Sequence, residues 1–281
     1  MDKRIAMENK TIAVILPVYR NDKVAYIHLA VDSILNQTYS DIMLFIGVDG
    51  PVGDDIIVCM NEYSQKQQVQ VIWFKENRGL ACVLNDLLNI CFKEGFEYIA
   101  RMDADDISLP ERIEKQMSFL EKNPEIDVVG GANQRIDEND RLLDRFVYSP
   151  LTPEDCYKTF AKRTPLCHPT VLFRKRYFDK TGRLYRPEYR NSQDVMLWYD
   201  GLMKGVKMAN IQEVVLYFRV TDDLIAKRRN GWKRAKRQFE DRIKINRDLK
   251  YGFSANVYAF IVFLYMLLPR RLRSIVFKRM R

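Results

Sequence analysis

The sequence predicts an α/β protein: a mixed, mostly parallel sheet flanked by helices, followed by a basic helical extension at the C-terminal end. Three observations predict it. Short β-branched runs alternate with segments of helical period between residues 11 and 205. Polar or turn-forming residues follow the runs directly, at the strand ends where open α/β sheets gather ligands. The net charge of +9 belongs to the end of the chain, since residues 219–281 hold 18 Lys+Arg against 5 Asp+Glu while residues 1–218 hold 28 against 32.

Residues 11–18 (TIAVILPV) read as a first strand buried on both faces, closed by Pro17, Val18, Tyr19 and Arg20. A helix over 28–36, with Leu29, Ile34 and Leu35 as its apolar positions, leads to a second strand over 42–48 that ends in Asp49-Gly50-Pro51. Residues 56–63 are helical in pattern, 69–74 form a third strand, and 80–92 form an apolar helix opened by Asn77-Arg78-Gly79. The fourth strand, 96–102, delivers Asp103. An amphipathic helix over 113–122, a strand over 127–134 and a polar hairpin or loop over 137–145 follow. Residues 165–174 (PLCHPTVLFR) set His168 before an apolar strand. Residues 189–205 set Gln193 and Asp194 at a helix start, where a carboxylate also serves as a simple cap. In a doubly wound sheet Tyr19, Asp49, Asn77 and Asp103 should converge.

Composition excludes several classes. With 47% hydrophobic residues and no repeat or low-complexity run, the chain folds around a sizeable core. The five cysteines are odd in number, lie mostly in apolar segments and lack CxxC spacing, which points to reduced thiols in a cytosolic protein and away from a disulfide frame or zinc site. The first ten residues, MDKRIAMENK, have no apolar core of the kind a secretory signal needs. No GxGxxG or Walker A pattern is present, which weakens dehydrogenase and P-loop readings.

The chemistry concentrates in residues 101–112, RMDADDISLPER. Asp103, Asp105 and Asp106 are three carboxylates within four residues. Such crowding is tolerated chiefly where a cation or a ring of donors neutralises it. Mg²⁺ or Mn²⁺ held by one or two carboxylates, with substrate phosphates filling other positions, satisfies that requirement. An acidic turn capping a helix from Ser108, with Pro110 in its first turn, is the alternative.

Taken in order, PVYR at 17–20, DGP at 49–51, NRGLA at 77–81, RMDADD at 101–106, HPTVLFR at 168–174, QD at 193–194 and KRRNGW at 227–232 resemble the family 2 glycosyltransferases of the GT-A fold. The likeness spans roughly residues 10–235 and is strongest to the bacterial subgroup that builds capsule and O-antigen polysaccharides. It implies a catalytic domain over 1–218 and a nucleotide-sugar donor, typically a UDP-sugar. Pro17, Tyr19 and Asp49 would surround base and ribose, with Asn77 and Arg78 beside them. Asp103 would touch the ribose and Asp105 the metal, Mn²⁺ or Mg²⁺. Asp194 would be the base of an inverting transfer, and His168 and Gln193 would face acceptor or donor. Arg219, Arg228 and Arg229 would form a basic lid over the diphosphate. Gln193 stands where the family more often has Glu, and no Arg-Trp pair of the processive synthases is present, so single addition is implied. A sugar nucleotidyltransferase or a non-catalytic membrane-bound scaffold of the same fold are the alternatives.

Residues 219–281 are expected to form the extension. Residues 257–268 (VYAFIVFLYMLL) are uninterruptedly apolar but too short to span a bilayer, and basic residues follow them. That combination predicts an interfacial anchor on an anionic membrane surface, a peripheral enzyme on the inner face of the cell membrane, and a lipid-linked glycan acceptor. Nucleic acid is not the expected partner, because no recognised module accompanies the basic residues. A homodimer is left open.

Overall fold

The first strand, β1 (Ile12–Val18), alternates its side chains between two buried layers: Ile12, Val14 and Leu16 enter one core cluster, Ala13 and Ile15 the other. The computed structural model describes residues 10–190, 192–221 and 232–268. Around β1 lie α1 (Val24–Leu35), β2 (Ile42–Val48), α2 (Asp54–Tyr63), β3 (Val69–Trp73), α3 (Leu80–Lys93) and β4 (Tyr98–Arg101). β3, β2, β1 and β4 are adjacent and parallel, so all four end at one edge of the sheet. β4 pairs with β1 only as far as Ile15↔Arg101. Pro17 therefore lies beyond that ladder, where its missing N–H leaves no gap on the β4 side.

Beyond β4 the sheet becomes mixed. β5 (Ile107–Ser108), α4 (Arg112–Lys122), β6 (Val128–Ile136), β7 (Leu142–Val147), α5 (Pro153–Phe160), a 3₁₀ turn at His168–Thr170, β8 (Leu172–Arg174), α6 (Arg176–Thr181), α7 (Gln193–Met203) and β9 (Met208–Arg219) follow in sequence. The described strands form one sheet in the order β3-β2-β1-β4-β8-β6-β9-β5, with β7 pairing β6 in a hairpin. β8 runs antiparallel to β4 and β6, whereas β9 runs parallel to β6 and antiparallel to β5. The β5–β9 pairing fastens the chain just after the acidic motif onto the end of β9.

Two local readings change. α1 begins at Val24, four residues before the expected start, and its N-cap Lys23 offers no capping side chain. Ser108 is not a helix cap: it sits in β5, its N–H donates to Ser33 Oγ at 3.0 Å, and its hydroxyl accepts from Gln37 at 3.1 Å. α4 starts at Arg112 with Glu111 in the cap position. All five cysteines are free; Cys59, Cys91 and Cys156 are buried, Cys82 and Cys167 half-buried.

Two glycines set the approach of neighbouring parts. A Cβ on Gly47 would lie 2.7 Å from Val83 Cγ1, so its absence lets α3 close onto β2. Gly50 adopts φ +82°, and a Cβ there would lie 2.4 Å from the Asn77 backbone nitrogen. Gly50→Ala is expected to destabilise the protein by about 1–3 kcal/mol through left-handed strain and this clash, read as a lower urea midpoint with an unchanged m-value.

The C-terminal helices α8 (Trp232–Asp248) and α9 (Phe253–Leu267) form a hairpin. Ile245 and Leu249 join the core cluster beneath α7, Tyr199 Oη donates to Asp248 at 2.7 Å, and Arg242 donates to the Phe160 carbonyl at 2.6 Å. Phe239 and Phe263 pack at 5.2 Å between ring centres, and Trp232 and Phe263 at 5.5 Å. At 15 residues, roughly 22 Å long, α9 is shorter than a hydrocarbon core of roughly 30 Å. No helix of the described residues is long and apolar enough to cross a membrane.

Candidate active site

The ends of β1 and β2 and the loop before α3 are tied together by Asp49. This buried carboxylate accepts from the backbone N–H of Arg78 at 2.8 Å and of Gly79 at 2.9 Å, one to each oxygen, while Asn77 Nδ2 donates to the Asp49 carbonyl at 3.0 Å. Its own N–H donates to Val18. Arg78 pairs with Asp86 and stacks its guanidinium over Phe74. Tyr19 is half-buried after β1, with its N–H donated to Asp22 Oδ2 at 2.8 Å. Pro17, Tyr19, Asp49, Asn77 and Arg78 thus share the edge at which the parallel strands end.

The acidic turn leaves β4 beside them. Asp103, Asp105 and Asp106 bring ligand oxygens within 4.8 Å of one another. Asp103 receives both terminal nitrogens of Arg101, one at 2.6 Å. Asp106 is 1% exposed; one of its oxygens accepts the Arg219 N–H at 2.8 Å, and the other has no partner among the described residues. Burial, and then the neighbouring carboxylates, raise the pKa of Asp106 well above the usual range and push that of Asp105 up to about 6. An orphaned buried oxygen of Asp106 beside the carboxylates of Asp103 and Asp105 is a donor set that fits Mg²⁺ or Mn²⁺.

Arg219, at the end of β9, is fully buried beneath this turn and not on a surface lid. Its Nε donates to the Asp105 carbonyl at 2.7 Å, Nη1 donates to the Asp137 carbonyl at 3.1 Å, and the guanidinium sits 4.0 Å from the centre of the Tyr26 ring. It clamps the acidic turn and the β6–β7 hairpin to α1. Arg228 and Arg229 lie outside the described residues.

Asp194 occupies the first turn of α7. Burial raises its pKa above the usual carboxylate value, against the opposing pull of the Val195 N–H and Arg101. Gln193 beside it buries an Oε1 that has no partner among the described residues. His168 is buried under Trp198, with Nε2 2.7 Å from Tyr185 Oη; burial and the charge of Arg101 drive its pKa well down, so the ring is neutral.

Arg101 is the common element. Only 2% exposed, it lends positive charge to Asp103, Asp105, Asp106, Asp194 and the surroundings of His168. The motif reading assigned it no role, although an arginine ending the buried run Tyr98-Ile99-Ala100 is a signal, because a charge buried in a strand requires a paired anion. The sequence reading counted Asp106 in the acidic triplet but gave it no role of its own, and it did not assign Tyr185 as the partner of His168. Tyr185 has no local signal, since it lies in an irregular segment 17 residues from the histidine.

The family model for glycosyl transferase family 2 matches residues 13–182. The chain is 33% identical over 211 residues to the O-antigen biosynthesis glycosyltransferase WbnJ of Escherichia coli, covering 74% of this chain and 79% of that protein. It is 25% identical over 269 residues, 95% of each chain, to the UDP-Gal:alpha-D-GlcNAc-diphosphoundecaprenol beta-1,3-galactosyltransferase of Escherichia coli. In fold it is similar to S. aureus TarS 1-349 in complex with UDP-GlcNAc, with TM-score 0.61 and 14% identity over 92% of this chain and 71% of that one. It is also similar to the mannosyltransferase PcManGT of Pyrobaculum calidifontis in complex with GDP-Man and Mn²⁺, with TM-score 0.59 and 17% identity over 89% and 73%. The architecture is GT-A, and the chain belongs to glycosyl transferase family 2.

Proposed function

We propose that this protein is an inverting, divalent-metal-dependent glycosyltransferase that adds a single sugar from a UDP-sugar to a lipid-linked oligosaccharide, on the cytoplasmic face of a bacterial membrane, during synthesis of a surface polysaccharide. The observation that carries the reading is the gathering of three carboxylates and a fourth, Asp194, in the field of one buried guanidinium, Arg101. The relatives' O-antigen role and diphosphoundecaprenol-linked acceptor support the substrate classes.

In this reading Tyr19 offers its ring to the base, Pro17, Asp49, Asn77 and Arg78 shape the nucleoside pocket, and Asp103 accepts from the ribose. Asp105 and Asp106 would hold Mn²⁺ or Mg²⁺, which supplies Lewis-acid stabilisation of the charge on the departing diphosphate. Asp194 takes the proton of the acceptor hydroxyl while that oxygen bonds to the anomeric carbon. The bond from that carbon to the UDP oxygen breaks on the opposite face, so the configuration inverts. Neutral His168 and the free oxygen of Gln193 orient acceptor or donor hydroxyls. Arg219 fixes the turn from beneath, and Arg228 and Arg229 are candidate contacts to the diphosphate. Residues 1–218 then form the catalytic domain and 219–281 its membrane-facing extension; the exposed Phe253, Phe260, Ile261 and Leu264 of α9 support interfacial seating.

Titration with UDP tests the donor site. UDP binding is expected to require Mn²⁺, to be lost in Asp105→Ala and to persist in Asp194→Ala. Equal UDP affinity with and without metal, or no UDP binding at all, would remove the metal-dependent UDP-sugar reading.

A further inference from the structure

A cavity of about 190 Å³ lies between the start of α7 and the α8–α9 hairpin, outside the donor site. Its walls are largely apolar, with Phe239 and Ile245 from α8 and Tyr258, Ala259, Val262 and Phe263 from α9. In α9 these positions recur at one helical face, whereas the exposed Val257, Phe260, Ile261, Leu264 and Leu267 take the other. The helix is therefore apolar on both sides, one turned to the cavity and one to the surroundings. A soluble helix hairpin has no use for such a pattern.

Two cations complete the lining. Arg242 is largely enclosed; it donates to the Phe160 carbonyl at 2.6 Å, stacks over the Phe160 ring, and makes no ion pair with a carboxylate among the described residues. Lys162 lies 5.9 Å from the centre of the Tyr258 ring. Among the described residues the one acid in the lining is Asp241, offset by the charges of Arg237 and Lys244. A partly buried guanidinium beside an aromatic wall calls for a ligand that is anionic at one end and apolar along its length. Ser192, Val195 and Met196 form the α7 side of the cavity, while Asp194, in the same turn, is outside that lining and in the field of Arg101 and Asp103. The distance across that turn is about one helix diameter, roughly 10 Å, short enough for one or two sugar units to bridge.

We propose that this cavity seats the isoprenoid chain nearest the diphosphate of the acceptor, with Arg242 and Lys162 holding the diphosphate and the glycan passing over the start of α7 to Asp194. The proposal rests on the glycosyltransferase reading above and specifies where that reading's acceptor binds. Lipid-linked acceptor would enter along α9 from the membrane, lipid chain first.

Farnesyl diphosphate is the probe, titrated into the full chain with the donor site saturated by UDP and Mn²⁺ so that its diphosphate cannot settle there. Binding is expected, and Ala259→Trp, which fills the cavity, and Arg242→Gln should each weaken it at least about tenfold. UDP affinity is read on the same samples. If Ala259→Trp fails to fold, Val262→Trp fills the same space from the next turn. Absence of farnesyl diphosphate binding, equal affinity in the filled variants, or equally strong displacement by phosphatidylglycerol micelles would overturn the proposal. Loss of UDP binding with farnesyl diphosphate binding intact would instead sink the donor-site reading.

Discussion

Asp194→Asn is expected to lower kcat for sugar transfer by about 10²–10⁴-fold, the range a positioned general base contributes, while UDP binding persists. The amide keeps the shape of the side chain at the start of α7 but cannot take the acceptor proton. Burial raises the pKa of Asp194, which makes the carboxylate a stronger base than a solvated aspartate, while the Val195 N–H and Arg101 oppose that rise. The sign of the pH dependence follows: the rate falls as pH drops through that raised pKa, so the acid limb of the profile lies above the 3.8 of an ordinary aspartate. Single-turnover kinetics with a fixed UDP-sugar, from pH 4 to 8, measure both quantities. Activity within about tenfold of the parent would remove Asp194 from the role of base, because a tenfold loss corresponds to only about 1.4 kcal/mol of barrier.

The parallel half of the sheet was legible because each strand there is a short unbroken apolar run closed by a turn residue, as β1 and β2 are by Tyr19-Arg20 and Asp49-Gly50. β9 was not. Its twelve residues are interrupted by exposed Gln212 and Glu213, and its register against β6 shifts around Ala132, so neither a period of two nor a continuous run marks it. α5 was not read either: Thr152 accepts from the Asp155 N–H and Pro153 opens the helix, but its eight residues make too short an apolar pattern to stand out. Within the site, the acidic triplet and Asp194 were readable because the motif itself carries the chemistry. Arg219 was not, since local sequence says that a side chain is charged but not whether it faces a ligand or props a turn from below. Burial beneath Asp105 and Asp106 is a property of β9 pairing with β5, two segments more than a hundred residues apart.

Asp105→Asn is expected to raise the melting temperature of the metal-free protein at pH 7.5 and to abolish the further rise that Mn²⁺ produces in the parent. The folded-state pKa of Asp105 is about 6 against 3.8 for an ordinary aspartate, raised first by burial and then by Asp103. Its contribution to stability is therefore present below pH 3.8 and lost as pH climbs through about 6, leaving a cluster that repels itself at neutral pH. Each pKa unit corresponds to about 1.4 kcal/mol, enough to move Tm by a few degrees in a chain of this size. A divalent cation removes the repulsion only where the carboxylate is ionised, because proton and metal compete for the same oxygens. The Mn²⁺-induced shift in the parent should accordingly be large at pH 7.5 and small at pH 5, with Mg²⁺ following the same order. Thermal melts at the two pH values, with and without metal, decide it. Equal shifts at both, or a metal response that survives Asp105→Asn, would show that any cation binds elsewhere. The expected pattern would show that the acidic turn holds a conformation its own charges oppose, a stability cost offset by the ligand the site is built to bind.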